Sequence, residues 1–164
     1  LAVLREKVPV VIDADAISVF EETPELLFSS IEGPCLITPH EGEFSRIFNL
    51  TGDKVSRVRD AASLSGATIL LKGPDTVVGA PDGRVMINDN APPDLATAGA
   101  GDVLAGFALA MLANGRDPFV AGSIATWLHG EAAGKFGPGL IAEDLPDALP
   151  VVLKDLKQRE GNHS

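Results

Sequence analysis

Ala96-Thr97-Ala98-Gly99-Ala100-Gly101-Asp102 is a glycine-containing segment that directly precedes an apolar helix predicted to begin near Val103. The two glycines allow a ligand to approach the main chain closely. The first turn of the helix offers unpaired N–H groups and the positive end of the helix dipole. The segment therefore predicts an anion-binding site at the start of a helix.

Asp102 suggests that this site also has a chemical function. A carboxylate in the first turn would repel a phosphate unless it had a separate task, such as accepting a proton from a hydroxyl that is about to be phosphorylated. The alternative is a structural one, in which Asp102 only stabilises the helix dipole. The motif by itself leaves both interpretations open.

Composition restricts the class of protein. An apolar content of 45% with 22% charged residues indicates one folded domain with a real core in 164 residues. No apolar run reaches the roughly 18 to 20 residues of a membrane helix, and residues 1–7 resemble the end of a mixed-charge helix rather than a signal peptide. We therefore expect a cytoplasmic protein without a membrane partner. The single cysteine, Cys35, lies in an apolar run and is expected to be buried and inert.

The formal net charge of −10 limits the partners. Nucleic acid is not expected, because backbone binding needs a basic face and 13 Lys and Arg are outnumbered here by 23 Asp and Glu. A nucleotide would have to be held by main-chain amides, a divalent ion and one or two well-placed cations. The charge balance therefore implies Mg²⁺ if the anion is a nucleotide.

Strand-like and helix-like patterns alternate along the chain, which predicts an α/β fold. Continuously apolar runs indicate buried parallel strands, and two short runs around a Pro-Asp-Gly turn indicate an antiparallel hairpin at the sheet edge. The predicted strands are 8–13, 35–38, 68–71, 77–78 and 84–87. The predicted helices are 24–31, one opening after residue 39, 53–64, one from near 103, 118–135 and 143–157. Pro150 is expected to kink the last helix or to mark its start.

Three candidate segments, at residues 38–43, 72–76 and 99–102, are predicted to meet at one edge of the sheet. Open α/β sheets bind their ligands at the carboxyl ends of the strands. The meeting of three segments is stronger evidence for a site than any one of them. The same edge holds Asp13 and Asp15, which could share a metal only if a turn lies between them.

His40 and Glu43 are three residues apart at a predicted helix start and can lie on one face. Glu43 could hold Mg²⁺ through water, and His40 could donate a hydrogen bond to a substrate phosphate or amide. The alternative is that Thr38 and Glu41 form a capping box and that His40 is only a polar loop residue.

Residues 72–76, Lys-Gly-Pro-Asp-Thr, could wrap a nucleotide. Lys72 would neutralise phosphate charge, and Gly73 would allow close approach of the backbone. The alternative is an ordinary strand exit with a solvated lysine.

Elsewhere, His129 lies in an apolar helix beside Glu131, and we expect it to pair with a neighbouring carbonyl or carboxylate rather than to act in catalysis. Trp127 is expected in the core or in a subunit interface.

Four motifs in this order closely resemble those of the ADP/ATP-dependent NAD(P)H-hydrate dehydratases, a branch of the ribokinase-like superfamily. The motifs are Asp13-Ala14-Asp15-Ala16, Thr38-Pro39-His40-Glu41-Gly42-Glu43, Leu71-Lys72-Gly73 with Thr76, and Leu95-Ala96-Thr97-Ala98-Gly99-Ala100-Gly101-Asp102-Val103-Leu104-Ala105-Gly106. The resemblance implies a ribokinase-like three-layer α/β/α sandwich with a mostly parallel sheet and an antiparallel edge hairpin, from which N-terminal units are missing. Residues 1–157 would be the C-terminal part of one catalytic domain, and residues 158–164 a frayed tail.

The resemblance also implies a reaction. ADP or ATP, with Mg²⁺, would phosphorylate the hydroxyl of hydrated NADH or NADPH, and loss of that phosphate would restore the dihydronicotinamide. The family resemblance suggests a homo-oligomer, for which the apolar helix 118–135 could supply an interface. The alternatives are a ribokinase-like kinase for a small alcohol, such as a sugar or vitamin precursor, and an inactive nucleotide-binding fragment.

Individual residues take their expected functions from the same resemblance. Asp102 resembles the base that activates the hydroxyl and also contacts the hydrate, and His40 resembles a hydrate-binding residue. The His40-x-x-Glu43 pair resembles the Asn-x-x-Glu magnesium motif of the superfamily, with Glu43 as the metal residue. The residues implied in nucleotide binding are Lys72, Gly73, Pro74, Asp75, Thr76, Gly99, Ala100 and Gly101. The chain departs from the family pattern at residues 91–94 and at Ser18, which affects the substrate side of the site.

Overall fold

A five-stranded mixed sheet organises the structure, a computed structural model that describes residues 1–161. The strands are β1 (Val10–Ile12), β2 (Cys35–Ile37), β3 (Thr68–Leu71), β4 (Thr76–Gly79) and β5 (Val85–Asn88), in this order across the sheet. Strands β1, β2 and β3 are parallel, whereas β4 is antiparallel to both β3 and β5. The structure therefore has the predicted parallel strands and the predicted hairpin at one edge.

Helices cover both faces of the sheet. They are α1 (Ala2–Arg5), α2 (Asp15–Ser18), α3 (Pro24–Phe28), α4 (Glu41–Ile47), α5 (Lys54–Ser65), α6 (Ala100–Ala113), α7 (Pro118–Phe136) and α8 (Asp144–Gly161), with a 3₁₀ turn at Pro93–Leu95. Helices α2 to α5 pack in one buried cluster with the sheet, and α6 and α7 pack in another. Helix α8 packs on α6 and α7 in a third cluster.

Neighbouring residues of the central strands face opposite clusters. In β3, Ile69 and Leu71 belong to the cluster of α2 to α5, whereas Leu70 belongs to that of α6 and α7. This alternation explains why the strands read as continuous apolar runs in the sequence. It also confirms the expected three layers. Cys35 is buried in the first cluster, where desolvation raises the pKa of its thiol to about 12.

Side-chain caps explain why several helices begin where the sequence predicted. Asp53 caps α5 by accepting a hydrogen bond from the amide of Ser56. The same helix ends at Gly66, whose φ of 71° is a left-handed conformation that favours glycine. Asp117 caps α7 in the same way as Asp53, with Pro118 in the first turn.

Several helix boundaries differ from prediction. Helix α3 ends at Phe28 rather than at residue 31. Helix α6 begins at Ala100 rather than near Val103, because Gly99 turns the chain with a φ of 83° and the following residues are already helical. Helix α8 runs through Pro150, which therefore does not mark its start. It continues to Gly161, so residues 158–161 of the expected frayed tail are helical, and residues 162–164 lie outside the described part.

The apolar surface of α7 is used within the chain. Helix α7 packs between the sheet, α6 and α8, and Trp127 lies partly buried in the α6–α7–α8 cluster. These faces of α7 are therefore covered within the chain, and the expected homo-oligomer stays a prediction. Within residues 1–161, no helix combines the length and the apolar character needed to cross a bilayer.

Candidate functional site

A cavity of about 700 Å³ opens beyond the carboxyl ends of β2 and β3. All three predicted segments contribute to its wall. They provide His40, Lys72, Gly73, Pro74, Thr76, Ala100 and Gly101. Segments far apart in sequence therefore meet at one place, as the strand order requires. The rest of the wall comes from the segment after β5 and from helices α6 and α7.

His40 is the N-cap of α4 and is fixed by a reciprocal pair of hydrogen bonds. Its Nδ1 accepts from the amides of Gly42 (2.9 Å) and Glu43 (3.2 Å), and Glu43 Oε2 accepts from the amide of His40 (2.8 Å). Because Nδ1 is an acceptor, the proton of the neutral ring lies on Nε2. His40 therefore presents an N–H donor, with Nε2 3.5 Å from Glu43 Oε1.

This capping box replaces the one that the sequence suggested as an alternative. Thr38 is buried, and its hydroxyl donates to the carbonyl of Ile12. Glu41 forms a bidentate ion pair with Arg57, which lowers the pKa of Glu41 mainly through the side-chain hydrogen bond. The Thr38–Glu41 capping box is therefore absent, and His40 is a structural cap as well as a residue of the cavity wall.

Lys72 is not the solvated lysine of the alternative interpretation. Its Nζ lies 2.7 Å from Asp13 Oδ1 and 3.9 Å from Glu43 Oε2. The side chains of Lys72 and Asp13 are only 20% and 13% exposed. Asp15, by contrast, is exposed in the first turn of α2. A joint metal site of Asp13 and Asp15 is therefore not formed, and Asp13 pairs with the lysine instead.

Helix α6 begins directly beside this ion pair. A methyl group added at Gly101 would lie 3.6 Å from Lys72 Nζ and 3.9 Å from Asp13 Oδ2. No side chain caps the N-terminus of α6. The start of this helix therefore offers main-chain N–H groups next to an ammonium, an arrangement that suits an anion.

Asp102 is the third residue of α6 and follows Gly101 at this point. Its side chain is exposed, and it is not among the residues that form the cavity wall. It lies in the first turn, where the sequence placed it, and follows the wall residue Gly101 in the chain. Gly99, one residue before the helix, packs near Ala142 rather than in the wall.

The Lys-Gly-Pro-Asp-Thr segment contributes four of its five residues to the wall. Thr76 closes its turn by donating to the carbonyl of Gly73 (3.0 Å) and accepting from the Gly73 amide (3.3 Å). Asp75 is the exception, because Lys54 of α5 binds its carboxylate (3.1 Å) and its carbonyl. That hydrogen bond lowers the pKa of Asp75. Lys54 lies outside the wall but beside Gly73, and no sequence motif identified it.

The other end of the cavity is mostly apolar. Leu95, Ala96 and Leu104 line it, together with the buried polar residues Asn88, Thr126 and His129. These residues come from a strand end, a loop and two helices. Leu95, Ala96 and Leu104 belong to the fourth motif but were not named as site residues. Sequence reasoning missed Asn88, Thr126 and His129 because no spacing connects them with the motifs.

His129 is 5% exposed, and burial lowers its pKa to about 4, against a smaller opposing effect of hydrogen bonding to the backbone of Ala100. The ring meets Phe107 edge-on, with centroids 6.0 Å apart. Its Nε2 is buried and has no hydrogen-bond partner within residues 1–161. Glu131 approaches Asn90 rather than His129. His129 is therefore a neutral residue that contacts the start of α6.

Asn90 attaches the loop after β5 to α7. Its Nδ2 donates to the carbonyl of Trp127 (3.0 Å), and its Oδ1 accepts from Asn88 Nδ2 (2.7 Å). A methyl group at Gly130 would overlap Asn90 Oδ1, so the contact depends on glycine there. This anchor fixes the loop that forms one wall of the cavity.

A magnesium ion could be held here only with help from a ligand. Within residues 1–161, no three His, Cys, Asp or Glu side chains are grouped so that they could ligate a metal. Glu43 already accepts a hydrogen bond from His40. However, Mg²⁺ typically keeps several waters and uses one or two carboxylates together with substrate phosphates. Glu43 fits that pattern through a water molecule.

Comparisons with known proteins agree with this architecture. The family model described as NAD(P)H-hydrate dehydratase matches residues 1–150. A bifunctional NAD(P)H-hydrate repair enzyme Nnr from Moorella thermoacetica is 40% identical over 94% of this chain. The crystal structure of an ADP/ATP-dependent NAD(P)H-hydrate dehydratase from Bacillus subtilis, co-crystallised with ATP/Mg²⁺, matches 93% of the chain with a TM-score of 0.82 and 33% identity.

A ribokinase-like superfamily protein from Enterococcus faecalis matches 90% of the chain with a TM-score of 0.74 and 25% identity, which confirms the ribokinase-like fold. The chain spans 31% of the length of the Moorella relative. It spans 57% of the Bacillus subtilis chain and 52% of the Enterococcus chain. The family-model match extends over most of the sequence and includes all four motifs. This chain belongs to the NAD(P)H-hydrate dehydratase family.

Proposed function

We propose that this chain carries the nucleotide site and the catalytic carboxylate of an enzyme that uses ADP or ATP to dehydrate hydrated NADH or NADPH. The observation that carries the proposal is the meeting of His40, Lys72 and Gly101 at one cavity, directly beside the exposed Asp102. The similar Bacillus subtilis protein is an ADP/ATP-dependent NAD(P)H-hydrate dehydratase, and the Moorella relative is a bifunctional NAD(P)H-hydrate repair enzyme.

The nucleotide phosphates would bind at the polar end of the cavity. Lys72 would supply positive charge there and the main-chain amide of Gly101 a donor. The Ala100 amide already donates to the carbonyl of Thr97 (3.3 Å), Gly99 lies outside the wall, and the Lys54 ammonium lies beside Gly73. Residues 74–76 would continue the contact along the nucleotide, with Asp75 contributing only through its main chain because Lys54 holds its side chain. The adenine base would occupy the apolar end near Leu104.

Asp102 would act as the general base. It would take the proton from the hydroxyl of the hydrate while that oxygen attacks the terminal phosphoryl group, and the nucleotide would leave with one phosphate fewer. The carbon–oxygen bond to the new phosphate ester would then break, and loss of a proton from the neighbouring carbon would restore the ring double bond. His40 would orient the hydrate by donating from Nε2.

The proposal includes Mg²⁺, which Glu43 would hold through a water molecule. When bound, the ion would neutralise charge on the nucleotide phosphates. In a chain with a net charge of −10, Lys72 and the helix amides alone leave much of that charge uncompensated. The fixed Glu43 carboxylate, 3.9 Å from Lys72 Nζ, lies close enough to take part.

The test is recovery of the dihydronicotinamide absorbance from NADH hydrate, using the protein as its gene encodes it, with Mg²⁺ and either ADP or ATP. We expect recovery that requires a nucleotide and releases one phosphate for each hydrate consumed. A stable phosphorylated product without water loss would instead identify a kinase of the same superfamily. No reaction with either nucleotide would contradict the proposal.

A further inference from the structure

We propose that Asp13 is a positioning residue that holds the Lys72 ammonium against the start of α6, where the proposed function places the nucleotide phosphates. The inference rests on that function but concerns a residue with no assigned part in it. It starts from the contacts of Lys72 Nζ, which lies 2.7 Å from Asp13 Oδ1. Asp13 and Lys72 follow different strands, β1 and β3, so the pair joins two parts of the sheet edge.

Asp13 is the group best placed to fix the ammonium. The other carboxylate nearby, Glu43, has its closer oxygen 3.9 Å from Nζ, and this same oxygen accepts from the amide of His40 at 2.8 Å. Glu43 is therefore committed to the cap of α4. Because Asp13 and Lys72 are both mostly buried, water screens their attraction less than it would on an open surface.

Asp13 holds the Lys72 ammonium where it can contact an anion bound at the start of α6. A methyl group at Gly101 would meet Lys72 Nζ at 3.6 Å and Asp13 Oδ2 at 3.9 Å, so no side chain separates the ion pair from the backbone of α6. The ammonium and the first-turn amides therefore face the same small volume. A lysine has a long flexible stem and needs a partner to stay in one place.

The backbone beside Asp13 is strained. Ala14 has φ 48° and ψ −124°, a conformation that L-residues rarely adopt. Such a strained residue persists where the surroundings require it. The sharp turn at Ala14 lies between Asp13, the residue after β1, and Asp15, the first residue of α2. Strain at this point is consistent with a carboxylate that must keep a fixed position.

Asp13 could act by positioning Lys72 or by repelling a phosphate, and the two predict opposite changes in nucleotide affinity when Asp13 is neutralised. If Asp13 were only a negative charge near a phosphate, its neutralisation would tighten nucleotide binding. If Asp13 holds Lys72 in place, its neutralisation weakens binding, because the ammonium is no longer kept at the start of α6. The sign of the change therefore distinguishes the two.

The experiment measures the Kd of ADP by isothermal titration calorimetry for the unmodified protein and four variants. These are Asp13→Asn, Lys72→Met, their combination, and Asp15→Asn as the matched control, since Asp15 is exposed and unpaired with the lysine. We expect Asp13→Asn to raise Kd about tenfold, a typical size for coupled neighbours. Asp15→Asn should change Kd less than about twofold, and so should Asp13→Asn when Lys72 is already methionine.

Asp13→Glu keeps the charge and the pair if Asp13→Asn fails to fold. Its extra methylene moves the ammonium, so we expect Kd to rise, but less than about tenfold. Unchanged or tighter binding in Asp13→Asn and Asp13→Glu, or an equal loss in the Lys72→Met background, would overturn the inference. ADP binding by the unmodified protein without turnover of NADH hydrate would contradict the proposed function alone. No ADP binding at all would contradict both the proposed function and the inference on Asp13.

Discussion

At its polar end the cavity is formed by residues that directly follow a strand or begin a helix, namely His40, Lys72 and Gly101. At its apolar end it is formed by Leu95, Leu104 and His129, which come from a loop and from the middle of two helices. The polar residues are held by hydrogen bonds and ion pairs. The apolar residues are held by packing and by the attachment of Asn90 to α7.

The polar end is therefore expected to determine binding and rate, and the apolar end the stability of the fold. Changes of charge at the polar end should alter binding or rate and leave the fold nearly as stable, because the groups there are partly exposed. Changes of shape at the apolar end should alter stability, because its residues are part of the core. Variants at the two ends should therefore separate an effect on activity from an effect on stability.

The largest effect is expected from Asp102→Asn, which keeps the shape of the side chain but removes the base. The rate of NADH hydrate turnover should fall by about 10²–10⁴. The melting temperature should hardly change, since Asp102 is exposed. Asp60→Asn, an exposed carboxylate on α5 outside the cavity wall, is the control and should keep full activity. If Asp102→Asn keeps more than a tenth of the rate, Asp102 is not the base and only stabilises the helix dipole.

The next largest effect concerns His129 and pH. Its pKa in the folded protein is about 4 against an ordinary 6.5, so between these values the unfolded chain binds a proton that the folded chain does not. The contribution of His129 to the free energy of unfolding is therefore fully present above pH 6.5. It is lost as the pH falls towards 4, and the total loss is about 3 kcal/mol. Urea unfolding from pH 7 to 4 should show this extra loss in the unmodified protein but not in His129→Gln. Parallel pH profiles for the two would contradict the burial of a neutral imidazole.

A smaller effect is expected from Gly130→Ala. The added methyl would overlap Asn90 Oδ1 and push the loop away from α7. We expect a loss of about 2 kcal/mol in the free energy of unfolding, as for other overpacked sites. ADP should also bind more weakly, because the loop forms one wall of the cavity. Denaturant unfolding and calorimetry measure the two effects, and an unchanged Kd would show that the anchor does not shape the site.

The smallest effect is expected from Gly134→Ala, one turn further along the same helix. A methyl group there meets no atom within 4 Å, so only helix propensity changes. The free energy of unfolding should rise by about 0.5–1 kcal/mol, and ADP binding should stay the same. This variant controls for the general effect of alanine in α7. Destabilisation by Gly134→Ala would mean that the cost at Gly130 does not arise from Asn90.

The sequence predicted the elements whose signals are local. Strand β3 was predicted at its observed bounds, and α5 within one residue at each end, because caps and apolar runs act over a few residues. The three site segments followed from the strand order and from glycine and charge patterns. The alternative capping box of Thr38 and Glu41 was wrong. Thr-x-x-Glu is the usual capping pattern, whereas the structure uses His40 as the cap.

The remaining contacts depend on tertiary packing. The Asp13–Lys72 pair joins residues 59 positions apart, and the contact of Asn90 with Trp127 spans 37 positions. Neither has a sequence signal, since a carboxylate or an amide has many equally suitable partners along the chain. The partner of His129 was left open between a carbonyl and a carboxylate. Its hydrogen bonding is with the backbone of Ala100, because α7 passes beside the start of α6.

The most direct test of the central claim is a crystal structure of the protein with ADP. The account predicts phosphate oxygens in contact with Lys72 Nζ and the main-chain amide of Gly101, with the base at the apolar end beside Leu104. Phosphates bound elsewhere, with the Asp13–Lys72 pair facing only solvent, would contradict it.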